Sequence, residues 1–226
     1  MSSDPLPLGV TIDPEMKKKC PAVGLGCVTA EVVAGTTPEA LDRELRECSK
    51  RILELPEPKA VLESPQILAT RSGYRALGKD PARYRGSAEA LLRRVIAGKD
   101  LPRVNNVVDV INLVSVECRV SIGLYDLARV QGDIVFRAGR EGETYKGIGK
   151  YDLNLEGLPV FCDATGPHGS PTSDSERTMV TEATRRVLGI IISFGGLTGL
   201  DRFTERLCGL LREHASGHDL RTQLIS

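Results

Sequence analysis

From Glu39 to Cys118 the apolar residues recur almost entirely at helical spacing, whereas from Ser121 to Phe194 they fall into short, strand-like runs separated by glycines. This segregation restricts the fold more than any other feature. A doubly wound sheet needs strands and helices to alternate along the chain, so the order here predicts an α+β architecture instead. One strand precedes the helices: "AVGLGCVTAEVVAG" (22–35) alternates and is rich in β-branched residues.

Thr37-Pro38-Glu39 opens the first long helix, with Leu41, Leu45, Cys48 and Ile52 as its apolar stripe and "PEP" (56–58) as its stop. Two more helical patterns run from Pro65 to Leu77 and from Ser87 to Ala97, the second striped by Ala88, Leu91, Leu92 and Val95. "VNNVVDVINLVSVEC" (104–118) buries Val104, Val107, Val108, Ile111, Val114 and Cys118 on one face. Asn105, Asp109 and Asn112 lie within about 60° of one another on a second face, taking about 100° per residue. That polar stripe fits a solvated surface or the wall of a polar pocket. The strands expected next are 121–130, 133–139, 154–163 and 185–194, and a last helix is expected over 200–214 with Leu207, Leu210 and Leu211 inward.

Between the last two strands lies "GPHGSPTSDSERT" (166–178), thirteen residues where strand connections usually take about 4–6. It is dense in groups that grip polar ligands, and loops held on rigid scaffolds commonly carry function. The competing expectation is a capped, solvated connection.

With 226 residues, 41% of them hydrophobic, the chain can bury a large core. The N-terminus has no basic stretch followed by an apolar one, and the longest nearly apolar run, Val187 to Phe194, is too short to span a membrane. These features predict a cytoplasmic protein. The six cysteines form no C-x-x-C pair and the three histidines do not join them at zinc-ligand spacing, so no metal is expected. Cys162 lies six residues before His168, which leaves a cysteine–histidine nucleophile conceivable.

Thirty acidic residues balance thirty basic ones, yet the charge is unevenly spread. Between residues 71 and 103 stand Arg71, Arg75, Lys79, Arg83, Arg85, Arg93, Arg94, Lys99 and Arg103 against Asp80, Glu89 and Asp100, a net +6. Long basic side chains covering helix surfaces would explain this. A face for the phosphates of a nucleic acid is the alternative.

From Pro102 onward several short motifs stand in a recognisable order. Val108-Asp109-x-x-Asn112, Tyr125-Asp126-Leu127, Arg129, Gly132, Ile134-Val135, Arg137 and Glu141-Gly142-Glu143-Thr144 together resemble the B3/B4 domain of the phenylalanyl-tRNA synthetase beta subunit. The match is close over 100–165 and looser to 195; residues 1–60 are only weakly placed, and the whole chain reads as one B3/B4-like domain. The resemblance implies a β-sandwich of unusual topology packed with helices. It also implies an editing activity, hydrolysis of the ester between a wrong amino acid and tRNA, without metal, cofactor or covalent nucleophile. The chain is too short for the synthetase's catalytic core, and the "GGLTG" turn (195–199) lacks a Walker lysine. The tRNA lysidine synthetases share the fold, but their S-G-G-x-D-S loop is absent here.

Carried over position by position, the resemblance makes Asn112 a residue of the editing pocket and puts Asp152 near the pocket glutamate. It sets Asp163-Ala164-Thr165 where the pocket's threonine and small residues lie. The family's pocket histidine aligns with Gly123, so His168 would have to supply an imidazole from another direction. Ser170, Thr172 and Ser173 are expected to donate hydrogen bonds, Asp163 or Asp174 to pair with an ammonium, and Arg177 to grip a terminal phosphate. The expected tRNA-contacting residues are Arg71, Arg75, Lys79, Arg83, Arg85, Arg93, Arg94 and Arg103. Two readings follow: a trans-acting deacylase of mischarged tRNA, or a non-catalytic module that binds tRNA or an amino acid.

Overall fold

In the computed structural model, which describes residues 5–149 and 151–226, two four-stranded sheets pack face to face and the main helices cover the outer face of one of them. Strand β1 (Val10–Ile12) is followed by the short helix α1 (Pro14–Lys19), whose first amides are capped by the Asp13 carboxylate. Then come β2 (Gly24–Glu31), α2 (Glu39–Leu53), α3 (Pro65–Ala76), α4 (Ser87–Ile96) and α5 (Asn106–Cys118). The second half supplies β3 (Ser121–Asp126), β4 (Ile134–Ala138), β5 (Thr144–Lys146), β6 (Asp152–Asn154), β7 (Pro159–Asp163), β8 (Gly166–Gly169) and β9 (Arg186–Ser193). Helix α6 (Leu200–Ala215) and strand β10 (His218–Ile225) close the chain.

The first sheet has the order β10-β2-β9-β3 and is antiparallel throughout. The second has the order β1-β4-β7-β8, with β1 and β4 parallel; β5 and β6 form a separate hairpin. Because successive side chains on a strand point to opposite faces, β2 and β9 feed two cores at once. Val28, Ala30, Val187 and Ile191 pack with α2, α4, α5 and α6. Leu25, Cys27, Leu188 and Ile190 instead meet Ile134, Phe136 and Phe161 of the second sheet. β2 is therefore buried on both faces along nearly its whole length, not on alternate residues as its sequence led one to expect.

The α+β sandwich with packed helices is thus the fold. The predicted helices stand within two residues of their expected limits, and the strand expected at 22–35 is trimmed to Gly24–Glu31. The 154–163 segment forms a strand only from Pro159, its first residue belonging to the β5–β6 hairpin. The weakly placed N-terminal region supplies a central strand, and β10 was not expected at all. No helix among the described residues is long and apolar enough to cross a membrane.

Candidate functional site

The 166–178 segment is only partly a loop. Gly166–Gly169 pairs with β7 as β8, Glu176–Thr178 forms a single 3-10 turn, and the residues between them make the irregular portion. Ser170 organises that portion: its Oγ accepts from the amides of Thr172 and Ser173 and donates to the Ser173 carbonyl. Neighbouring elements hold it as well. The Pro171 carbonyl accepts from the Ser87 amide at 2.7 Å, Ile148 N–H donates to the Asp174 carbonyl at 3.0 Å, and the Thr172 hydroxyl meets Tyr74 Oη at 2.7 Å.

This segment roofs a cavity of about 480 Å³ against α4, α5 and β3, within the range usual for small-molecule sites. Asn112, Ser170, Ser173 and Asp174 all line it, together with Asn105, Thr181 and Glu182. Leu91, Val108, Ile111, Ile122, Leu124 and Val180 supply most of the apolar wall. Among the described residues, neither the Asn112 carboxamide nor the Ser173 hydroxyl has a hydrogen-bond partner, so both are available to a ligand. The polar stripe of α5 therefore divides. Asn105 caps the helix through the Val108 amide, Asp109 is buried and accepts from Val104 N–H and the Thr37 hydroxyl, and Asn112 faces the cavity. Asn112→Ala is accordingly expected to change stability by less than about 0.5 kcal/mol, the usual effect of a substitution away from packing or networks. A thermal melt showing a large loss would assign Asn112 to the scaffold.

Asp174 is the most unusual group here. Its Oδ2 accepts from Leu124 N–H at 3.1 Å, and its Oδ1 accepts from Tyr125 Oη at 3.1 Å and Ser170 N–H at 3.3 Å. Burial nevertheless outweighs these three donors and raises its pKa to about 7. The Tyr125 ring reaches it through a slot between two glycines: a Cβ on Gly123 or on Gly169 would stand 2.1 or 2.2 Å from the phenol oxygen.

Several expected site residues lie elsewhere. His168 is fully buried between the sheets, edge-on to Tyr125 with ring centroids 4.5 Å apart, and does not line the cavity. Burial lowers its pKa to about 4, so it is neutral at physiological pH. Its register on β8 turns it into the core. Asp163 and Arg177 form a bidentate pair at 2.9 Å, with Thr165 and the Gln131 amide also donating to the carboxylate. Arg177 thus ties the β7–β8 turn to the segment's exit, and the Asp163 pKa is held well below the carboxylate range. Asp152 is exposed on β6, opposite Lys146. Gly123 faces the inter-sheet core, so its missing side chain makes room for Tyr125 rather than emptying the cavity. Cys162 does not line the cavity either, and burial pushes its thiol to about 11, against a cysteine–histidine nucleophile.

The basic segment is partly neutralised. Glu89 is buried and takes a bidentate hydrogen bond from Arg71 and a further one from Arg93. Arg94 donates to the Asp100 carbonyl, and Arg103 pairs with Asp42 at 2.6 Å. Lys79 and Arg83 flank the Tyr84 ring at 5.5 and 5.6 Å. Arg75 and Arg85 have no carboxylate partner among the described residues and border a cleft with Arg71 and Arg93. Helix α4 separates this cleft from the cavity, carrying Arg93 to one side and Ser87 and Leu91 to the other.

Two groupings of carboxylates with a histidine occur among the described residues. In one, Glu44 already binds both His214 and Arg206; in the other, Glu31 binds His218 on the exposed surface. Neither touches the cavity.

The chain is 35% identical over 112 residues to the phenylalanine–tRNA ligase beta subunit of Rhodopirellula baltica, covering 46% of this chain and 16% of that protein. It is 30% identical over 104 residues to the corresponding subunit of Paramagnetospirillum magneticum, covering 45% and 13%. The chain thus spans a small fraction of these relatives' length. In fold it resembles an N-terminal fragment of the phenylalanyl-tRNA synthetase beta subunit from Pyrococcus horikoshii, with a TM-score of 0.51, 16% identity and cover of 100% of this chain and 52% of that one. Residues 69–197 match the B3/4 domain, a segment that holds every residue lining the cavity. The chain belongs to the B3/4 domain family.

Proposed function

We propose that the protein is a trans-acting deacylase that hydrolyses the ester of mischarged aminoacyl-tRNA, with the α5–β3 cavity as its aminoacyl site. The observation that carries this reading is the convergence of Asn112, Ser170, Ser173 and Asp174 on one cavity within the segment matching the family. An aminoacyl ester is already activated, so its hydrolysis needs positioning and electrostatic support more than a covalent nucleophile. Water adds to the ester carbonyl, the ribose oxygen leaves with a proton, and free amino acid and tRNA result. The Asn112 carboxamide and Ser173 hydroxyl are among the donors available to the carbonyl oxygen as charge develops on it. The test is a panel of mischarged tRNAs under single-turnover conditions. Loss of ester from one tRNA, slowed at least tenfold by Asn112→Ala, supports the reading; no acceleration over buffer for any tRNA rejects it.

The second reading keeps the cavity but not the chemistry, as a module that binds tRNA or an amino acid. It draws on the absence of any histidine or cysteine from the described lining. Wherever tRNA is the ligand, its backbone meets the 71–103 segment, above all Arg75 and Arg85. Reversing both to glutamate is expected to weaken tRNA binding tenfold or more and to lower the slope of log K against log salt by about 2. Filter binding from 50 to 300 mM salt measures this, and an unchanged slope would move the contact elsewhere.

A further inference from the structure

Among the described residues lining the cavity, the charged ones are Asp174 and Glu182, and no lysine, arginine or histidine faces it. The helix ends bordering it offer little to an anion. At the start of α4 the Ser87 amide bonds the Pro171 carbonyl and the Ala88 amide the Ser121 hydroxyl; at the start of α5 the Asn106, Val107 and Val108 amides are all taken within the chain. A free carboxylate entering here would meet Asp174 and Glu182, with neutral donors such as Asn112 and Ser173 but no counter-ion among the described residues. A cation would meet Asp174, whose carboxylate is fixed by three donors from two directions.

We propose that the cavity takes an α-amino acid with an apolar side chain whose carboxyl group is blocked as an ester or amide, its ammonium seated on Asp174 and Tyr125 serving as the positioning residue. The inference rests on the cavity being the aminoacyl site and adds the class of side chain it admits and the seat of the ammonium. It distinguishes an aminoacyl ester from the free amino acid that hydrolysis releases, so product would not remain bound. Seating an ammonium on Asp174 favours its ionised form, so binding near neutrality releases a proton. Of the titratable groups around it, Tyr125 and Tyr145 stay protonated because burial raises both, Glu182 stands exposed at the mouth, and His168 packs against Tyr125 as a neutral ring.

Calorimetry of the full chain with L-leucinamide, L-serinamide and L-leucine, in two buffers of different ionisation enthalpy, tests this. Leucinamide is expected to bind at least tenfold tighter than serinamide or leucine, with net proton release. Asp174→Asn, a near-isosteric change whose folding a thermal melt checks, is expected to weaken leucinamide binding at least tenfold and abolish the proton release. Tyr125→Phe removes a donor to the carboxylate, so the pH midpoint of leucinamide affinity should move upward. Equal binding of leucine and leucinamide, or binding of none of the three, overturns the proposal, and so does absence of proton release by the unaltered chain. If leucinamide binds as described while no mischarged tRNA is hydrolysed, the ligand class stands and the catalytic reading falls.

Discussion

Placing a methyl group on Gly123 is expected to destabilise the protein by about 3 kcal/mol or more, at or beyond the top of the range for overpacking a filled core. The added carbon would lie 2.1 Å from the Tyr125 phenol oxygen, and Tyr125 is completely buried, with Phe161 and His168 against its ring. The ring cannot retreat without dragging both neighbours. Displacement would also take the phenol from Asp174. Gly123→Ala and Gly169→Ala should therefore behave alike, because their Cβ positions converge on the same oxygen from two sheets. Urea melts of both variants provide the measurement. Either variant melting like the original would show that Tyr125 has room to move.

Arg177→Ala is expected to cost about 3 kcal/mol at pH 7, the low end for stripping one partner from a buried ion pair. The Asp163 side chain is inaccessible, whereas that of Arg177 is 34% exposed, which places the effect at that end. The pH dependence has a definite sign. Asp163 has a depressed pKa in the folded chain, so its contribution is fully present above its unfolded value near 4 and lost as pH falls below it. Without Arg177 that depression shrinks, so the gap between variant and original should narrow as pH drops from about 4 toward 2. Melting curves across that range give the answer. A constant gap would mean that Arg177 contributes through packing rather than charge.

The helices and most strands could be read from the sequence because each carries its own period and stop signals. The Asn112 face of α5 was readable for the same reason. What escaped depended on distant partners. β1 is a three-residue strand defined by its parallel pairing with β4, and β10 carries mostly polar residues that qualify only because β2 lies beside them. The site divided along the same line. Ser170, Ser173 and Asp174 sit where the irregular chain meets α4 and β3 and line the cavity there. His168 and Arg177, a few residues away, looked equally suited to chemistry; the β8 register turned one into the core, and the proximity of Asp163 claimed the other. Spacing along the chain reveals neither. Tyr125 stands out in the sequence only as part of a motif, because its approach to Asp174 requires Gly123 and Gly169 from different sheets.

The segment over the cavity bonds to its own serine, to the start of α4, to the β5–β6 turn and to the edge of β3 before any ligand arrives. A wall already ordered loses little conformational freedom on binding and imposes no slow closing step. Association should therefore be a single fast phase, its observed rate rising linearly with ligand concentration without levelling at a gating limit. Substitutions within the cavity would then change how long a ligand stays more than how often it arrives. Under the proposed function, discrimination between charged tRNAs would be exercised through residence time.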